Sequence, residues 1–212
     1  MRGDRGFTLD ETLVPFREAS DWFLAVVDSV EPAQWDGAGL GEWNVRELVC
    51  HASRAYLTVE RYLQPAGSID VESAAEYFRR AMPGPEVNIA IADRGRAEGA
   101  LLGPDPVAEI AARADRAFAA IEAAPVGSVC PSRGGTLSLG DYLATRVVEL
   151  TIHGLDLVVA LGLDDGLAEP PEPASRVALV VLAALAAHPS SGLLLRALTG
   201  RVPLPQGYSV FP

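Results

Sequence analysis

Apolar residues recur every three to four positions along most of this 212-residue chain, and this helical period limits the possible folds more than any other feature. On one side of a first helix it places Phe16, Ala19, Phe23, Val27 and Val30. Similar stripes cover residues 48–59, 110–121 and 143–157. We find no segment with the alternation of apolar and polar residues that is typical of half-buried strands. The pattern predicts an all-α bundle of four main helices.

Capping residues indicate where these helices begin. Caps or capping boxes fall at all four predicted starts: Thr8 with Glu11, Asn44 with Glu47, Asp105 before Pro106, and Ser138. Gly162 is a suitable C-cap for the fourth helix. Between the third and fourth helices, the Cys130-Pro131 and Gly134-Gly135 pairs predict a loop.

The rest of the chain has a weaker or different pattern. We expect a short helix over about residues 72–82 and a second piece over about 87–102. The tail predicts one very apolar helix over about 174–187, a shorter helix, and an extended arm. The predicted organisation is therefore a helical bundle over residues 1–165, with a helical extension and tail over 166–212 that pack on it.

Composition excludes several classes of function. All 17 basic residues are arginine, so the chain has neither a Schiff-base lysine nor the lysine of a Walker A loop. The net charge of −11 disfavours nucleic acid and anionic membranes as partners. Cys50 and Cys130 lie far apart and form no CxxC motif, so buried, inert thiols are expected.

Nothing in the sequence predicts a membrane span or a signal peptide. The first residues lack an apolar core, and the longest apolar run, residues 177–187, is too short to cross a bilayer. A cytoplasmic protein is therefore expected. The apolar run could close the core or form a dimer face, so the expected state is a monomer or a homodimer.

Three side chains form a candidate metal site. Glu149 and His153 lie four residues apart, which places them on one face of the fourth helix. His51 lies beside the apolar stripe of the second helix and could supply a third ligand, whereas His188 lies at a helix end and is a poor candidate. Two histidines and one carboxylate suit Zn²⁺ best, although Ni, Fe or Mn are alternatives. Each feature also has a purely structural interpretation: a satisfied core histidine, and a simple i,i+4 pair.

The residues around His51 resemble a known family. The stretch with Trp35, Trp43 and His51 is similar to the N-terminal signature of the DinB-like superfamily, in particular of its mycothiol-dependent maleylpyruvate isomerase branch. That branch has a tryptophan, a helix start of the type W-x-V-x-x-L and then the first histidine ligand. The resemblance extends over about residues 8–162 and implies a DinB-like four-helix bundle.

A second match lies on the fourth helix. Residues 144–157, ATRVVELTIHGLDL, resemble the family pattern R-x-x-E-x-x-x-H-x-x-D, whose Glu and His are the other two metal ligands. The resemblance therefore implies that His51, Glu149 and His153 hold a divalent metal, with mycothiol as cosubstrate. The isomerase itself carries a further α/β domain, whereas only about fifty residues follow Gly162 here. Maleylpyruvate is therefore a less secure expectation than thiol chemistry.

Three further residues are candidates for supporting roles. Asp156 lies one turn after His153 and could orient its imidazole, or simply face solvent. Arg146 lies one turn before Glu149 and could bind a carboxylate or form a structural ion pair. Arg54 is a weaker candidate of the same kind for binding thiol or substrate.

Three functions are compatible with these residues. The first is a metal-dependent transferase or isomerase that uses a thiolate to attack a small electrophile. The second is a hydrolase with a metal-bound water, which also needs a general base. The third is a non-catalytic bundle that binds a small molecule. A structural zinc site usually has four protein ligands, so a three-residue set favours an open, reactive site.

Overall fold

A computed structural model describes residues 6–81, 93, 95–164, 166–186 and 191–211. In chain order its helices and strands are α1 (Leu9–Asp28), α2 (Val45–Tyr62), α3 (Ala74–Ala81), α4 (Pro106–Glu122), β1 (Val129–Ser132), β2 (Gly135–Ser138), α5 (Leu139–Leu161), α6 (Glu172–Ala186) and α7 (Ser191–Leu198). The protein is mostly helical, which confirms the predicted all-α, DinB-like class. A further short helical stretch covers residues 95–99, while 87–92 and 94 of the predicted second piece lie outside the described residues.

The predicted caps form at the helix starts. The Glu47 backbone N–H donates to the Asn44 side chain at 2.9 Å, and the Asn44 N–H donates to the Glu47 carboxylate at 3.0 Å. The side chain of Ser138 accepts from the backbone of α5 in the same way. Gly162 ends α5 in the left-handed conformation, with φ at +67°. Local chemistry therefore sets these helix ends.

The segment 129–138 is a β-hairpin, so the prediction of a loop there was wrong. Strands β1 and β2 pair antiparallel, with Cys130 opposite Leu137, and β1 also bridges to Gln64 after α2. Each strand has four residues, too few to show an alternating pattern, and Pro131 within β1 disfavours a strand prediction. The hairpin forms because Cys130 and Leu137 are buried against the bundle.

The core lies between α1, α2, α4 and α5, with α5 at the centre. Helix α1 packs along α5, and α2 packs against both α4 and α5. Gly154 allows the close approach of α1 to α5, because a Cβ at this position would lie 2.2 Å from the indole ring of Trp22. The Trp22 ring is held in turn by a 2.9 Å hydrogen bond from its Nε1 to the carbonyl of Leu167.

The C-terminal helices pack outside this bundle. Helix α6 contacts α5, α1 and α3, whereas α7 has no buried residue. The division at residue 165 stays a prediction, and His188 lies outside the described residues. Within the described part of the chain, no helix has the length and apolarity needed to cross a membrane.

Candidate metal centre

Helix α2 places His51 at the bundle interior. The His51 ring stacks on the indole of Trp43, with ring centroids 4.6 Å apart and a 34° angle between planes. It also meets the ring of His153 edge-on at 4.8 Å. Trp43 is itself 9% exposed. Because an aromatic ring supports one face of the imidazole, its orientation toward α5 is restricted.

Helix α5 carries Glu149 and His153 on the face that meets His51. His153 Nε2 lies 3.4 Å from the Glu149 carboxylate. One ligand atom from each of the three residues lies within 4.8 Å of the other two, so together they could hold a metal ion. The structure thus brings together all three residues that the sequence predicted as ligands.

Asp156 orients the imidazole of His153. Its carboxylate lies 3.0 Å from His153 Nδ1, so Nδ1–H donates to Asp156 and Nε2 points toward Glu149. This is the arrangement that favours metal binding through Nε2. Burial alone would lower the pKa of His153, but the hydrogen bonds to Asp156 and Glu149 raise it to about 9.

Arg146 lies beside the cluster and is almost fully buried, with 7% of its side chain exposed. Its guanidinium is 3.9 Å from the Glu149 carboxylate. Burial alone would raise the pKa of Glu149, but the hydrogen bond from His153 and the charge of Arg146 outweigh it and lower the pKa to about 2. The carboxylate is therefore ionised at neutral pH and available to a cation.

Arg54 forms an ion pair with Glu98, from the stretch that follows α3. The pair leaves Arg54 lining a cavity of about 130 Å³ that opens beside His51 and Glu149. Glu98 already compensates the charge of Arg54. Arg54 is therefore less suited to binding an anionic ligand than Arg133 and Arg146, the two other arginines that line this cavity.

Comparison with known proteins identifies a family. The family model described as "Mycothiol maleylpyruvate isomerase N-terminal domain" matches residues 16–158. The chain belongs to this family. The match covers α1 through most of α5, and with them His51, Glu149 and His153. The chain matches no curated protein and no solved structure.

Membership of the mycothiol maleylpyruvate isomerase N-terminal domain family confirms the resemblance inferred from the two motifs. It indicates a mycothiol-related, isomerase-type domain with a thiol as partner. The donor set also suits a metal: two imidazoles and one ionised carboxylate are the ligands that Zn²⁺ and related ions take.

Sequence reasoning missed part of the cavity wall. Arg133 comes from the hairpin turn, and Tyr62, Tyr77 and Tyr142 come from three different helices or their ends. Tyr142 could have been suspected from its position one turn before Arg146 on α5. Arg133 gave no such signal, because it comes close to the other residues of the cavity wall only when the hairpin folds.

Proposed function

We propose that this protein uses a divalent metal, held by His51, Glu149 and His153, to activate a low-molecular-weight thiol for attack on a small electrophile. Family membership supports mycothiol as the thiol. The observation that carries the proposal is the three-residue cluster at the wall of an open cavity. Three protein ligands leave at least one coordination position for a reactant. Zinc is the first choice of metal for this donor set.

The residues around the candidate metal centre would have separate roles. When bound, a divalent ion supplies positive charge that lowers the pKa of a thiol, so that it reacts as the thiolate. Asp156 keeps Nδ1 of His153 protonated, so Nε2 is the nitrogen that would bind the metal once its own proton is lost. In the metal-free protein the hydrogen bond from His153 and the charge of Arg146 hold the pKa of Glu149 low, so its carboxylate is ionised. The apolar and aromatic residues of the cavity wall would exclude water from the electrophile.

Conjugate addition accounts for both isomerase and transferase outcomes. The thiolate sulfur bonds to the β-carbon of an unsaturated carbonyl compound, and the C=C electron pair moves to the carbonyl oxygen. The former double bond can then rotate. Expulsion of the thiolate restores the double bond in the other geometry and returns the thiol unchanged. Protonation of the α-carbon by water instead leaves the thioether product of a transferase.

The cavity wall disfavours a hydrolase. Among the described residues that line it, Glu149 is the only carboxylate, and it belongs to the candidate metal cluster. Asp156 is directed at His153. A hydrolase would need a further general base near its water. The described part of the cavity therefore favours thiol chemistry.

A thiol titration of cobalt-loaded protein tests the proposal. Mycothiol should give a saturable sulfur-to-cobalt absorption band, and an unsaturated carbonyl compound should then yield a thioether or an isomerised product by mass spectrometry. Protein that binds cobalt but shows neither the band nor a product would contradict the proposal.

Replacing Asp156 by asparagine should weaken metal binding by roughly tenfold to 100-fold. The new amide could keep a hydrogen bond, but the negative charge that raises the basicity of His153 would be lost. The affinity can be measured by competition with a chelator. Asp164→Asn, at an exposed position just after α5, makes the same charge change away from the cluster and should alter the affinity less than about twofold. Equal affinities of the wild type and the Asp156→Asn variant would refute the role of Asp156.

Metal binding at pH 7 should release about one proton from His153. The pKa of His153 in the metal-free protein is raised to about 9, so its ring is protonated at pH 7 and must lose a proton to bind an ion. Affinity should rise roughly tenfold per pH unit between pH 7 and 9 and then level off. Calorimetry in buffers of different ionisation enthalpy counts the protons. Metal binding at pH 7 without proton release would show that His153 is already neutral.

A further inference from the structure

The short helical stretch over residues 95–99 is held against α2 beside the candidate metal centre. Glu98 forms an ion pair with Arg54, one turn after the first candidate ligand on α2. Near the other end of α2, Arg96 donates a 3.2 Å hydrogen bond to Glu42, just before the helix begins. The two contacts lie on either side of that ligand in the sequence, so the stretch is fixed at two points around it.

Gly95 lets this stretch approach the indole of Trp43 closely. A Cβ at Gly95 would lie 2.9 Å from Cε2 of the indole and 3.0 Å from both Cζ2 and Nε1. Because Cε2 is bonded to the other two atoms and is also the nearest, that Cβ would lie over a face of the ring rather than at its edge. Gly95 is buried and its φ is not positive, so the site requires space there and not an unusual backbone conformation.

The same indole supports the ring of His51. The two rings stack with their centroids 4.6 Å apart and an angle of 34° between their planes. Trp43 is buried in the close-packed core, so it has little space in which to move. A displacement of the indole would therefore either press on the imidazole or withdraw its support. The position of His51 thus depends on a residue in a different segment of the chain.

We propose that Gly95 is a positioning residue for the candidate metal centre and acts on His51 through the indole of Trp43. The proposal rests on the proposed function, in which His51 is one of three metal ligands. Only a residue without a side chain lets the stretch pack at this distance while the indole stays against the imidazole. A ligand that is already held in place binds a metal more tightly, because less conformational freedom is lost on binding.

Gly95→Ala tests the proposal through metal affinity, measured by competition with a chelator. The affinity should fall about tenfold, which is typical for residues that orient metal ligands. The absorption spectrum of the cobalt-loaded variant should also change, because it reports the geometry of the ligands. Alanine favours a helix over glycine, so the stretch itself should still form. Gly103→Ala is the matched control: a Cβ there would meet nothing within 4 Å, so its affinity and spectrum should equal those of the wild type.

A second substitution shows whether the effect passes through the indole. Phenylalanine at residue 43 would lack Nε1 and the fused ring atoms that a Cβ at residue 95 would meet. In Trp43→Phe protein, Gly95→Ala should therefore reduce the affinity by at most about twofold, so the two substitutions should not be additive. The proposal is overturned if Gly95→Ala has no effect in the wild-type background. It is also overturned if Gly95→Ala has the same effect in both backgrounds, whether on affinity or on helix content by circular dichroism.

NMR spectroscopy of metal-free protein separates this proposal from the proposed function. The stacked indole should shift the ring-proton signals of His51, which are identified by their loss in His51→Gln protein, and Gly95→Ala should move these signals. If the wild type binds no metal while the signals still depend on Gly95, the proposed function fails and the coupling from Gly95 to His51 stands. If metal binds but Gly95→Ala changes neither the affinity nor the signals, the positioning role fails and the proposed function stands.

Discussion

His153→Ala should abolish stoichiometric metal binding. We expect the untagged wild-type protein to carry close to one divalent ion per chain by elemental analysis, and the variant to carry almost none. The affinity should fall at least about 100-fold, because the substitution removes one of only three candidate ligands and leaves the Glu149 carboxylate without its hydrogen-bond partner.

A control on the same helix separates a lost ligand from a disturbed fold. Val159→Ala lies on α5 at a position that is 81% exposed, so it should keep full metal content. Circular dichroism of both variants should show wild-type helix content. Metal content well below one equivalent in the wild type, unchanged in His153→Ala and not restored by added metal, would contradict the proposed centre.

Gly154→Ala should destabilise the protein more than most single substitutions of this size. The new Cβ would lie 2.2 Å from the Trp22 ring, which is buried and held by its hydrogen bond to Leu167. Overpacking of this kind costs up to about 3 kcal/mol, and the better helix propensity of alanine returns about 1 kcal/mol. The expected net loss is about 2 kcal/mol, or roughly 4–8 °C in melting temperature for a chain of this length.

Gly192→Ala is the matched control for this prediction. Gly192 lies in the helix α7, and a Cβ at this position would meet nothing within 4 Å. The substitution therefore has the propensity gain without the clash and should stabilise by at most about 1 kcal/mol. Both free energies of unfolding can be obtained from urea titrations. Equal effects of the two substitutions would show that the Trp22 contact adapts at no cost.

Local patterns in the sequence predicted the helices well because their causes are local. The capping pair Asn44 and Glu47 acts over three residues, and Gly162 ends α5 through its own backbone conformation. The spacing of Glu149 and His153 similarly places both on one helix face whatever the rest of the fold does. The two motifs that suggested the family lie on α5 and around the start of α2, and the family match confirms that inference.

The hairpin shows where such reasoning fails. A strand of four residues is too short for an alternating pattern to be recognised, and Pro131 within β1 disfavours a strand prediction. The pairing is stabilised by contacts with residues distant in sequence, such as Asp70 and Gln64. Its turn then places Arg133 at the cavity, a position that no local pattern could predict.

The sequence by itself determined the helices, their ends and the three candidate ligands, because these depend on spacing along one helix or on the chemistry of a few neighbouring residues. Tertiary structure decided which charges meet. It paired Arg54 with Glu98 and brought Arg133 and Arg146 to the wall of one cavity. Those outcomes depend on distances between segments far apart in sequence, and only the packed bundle sets them.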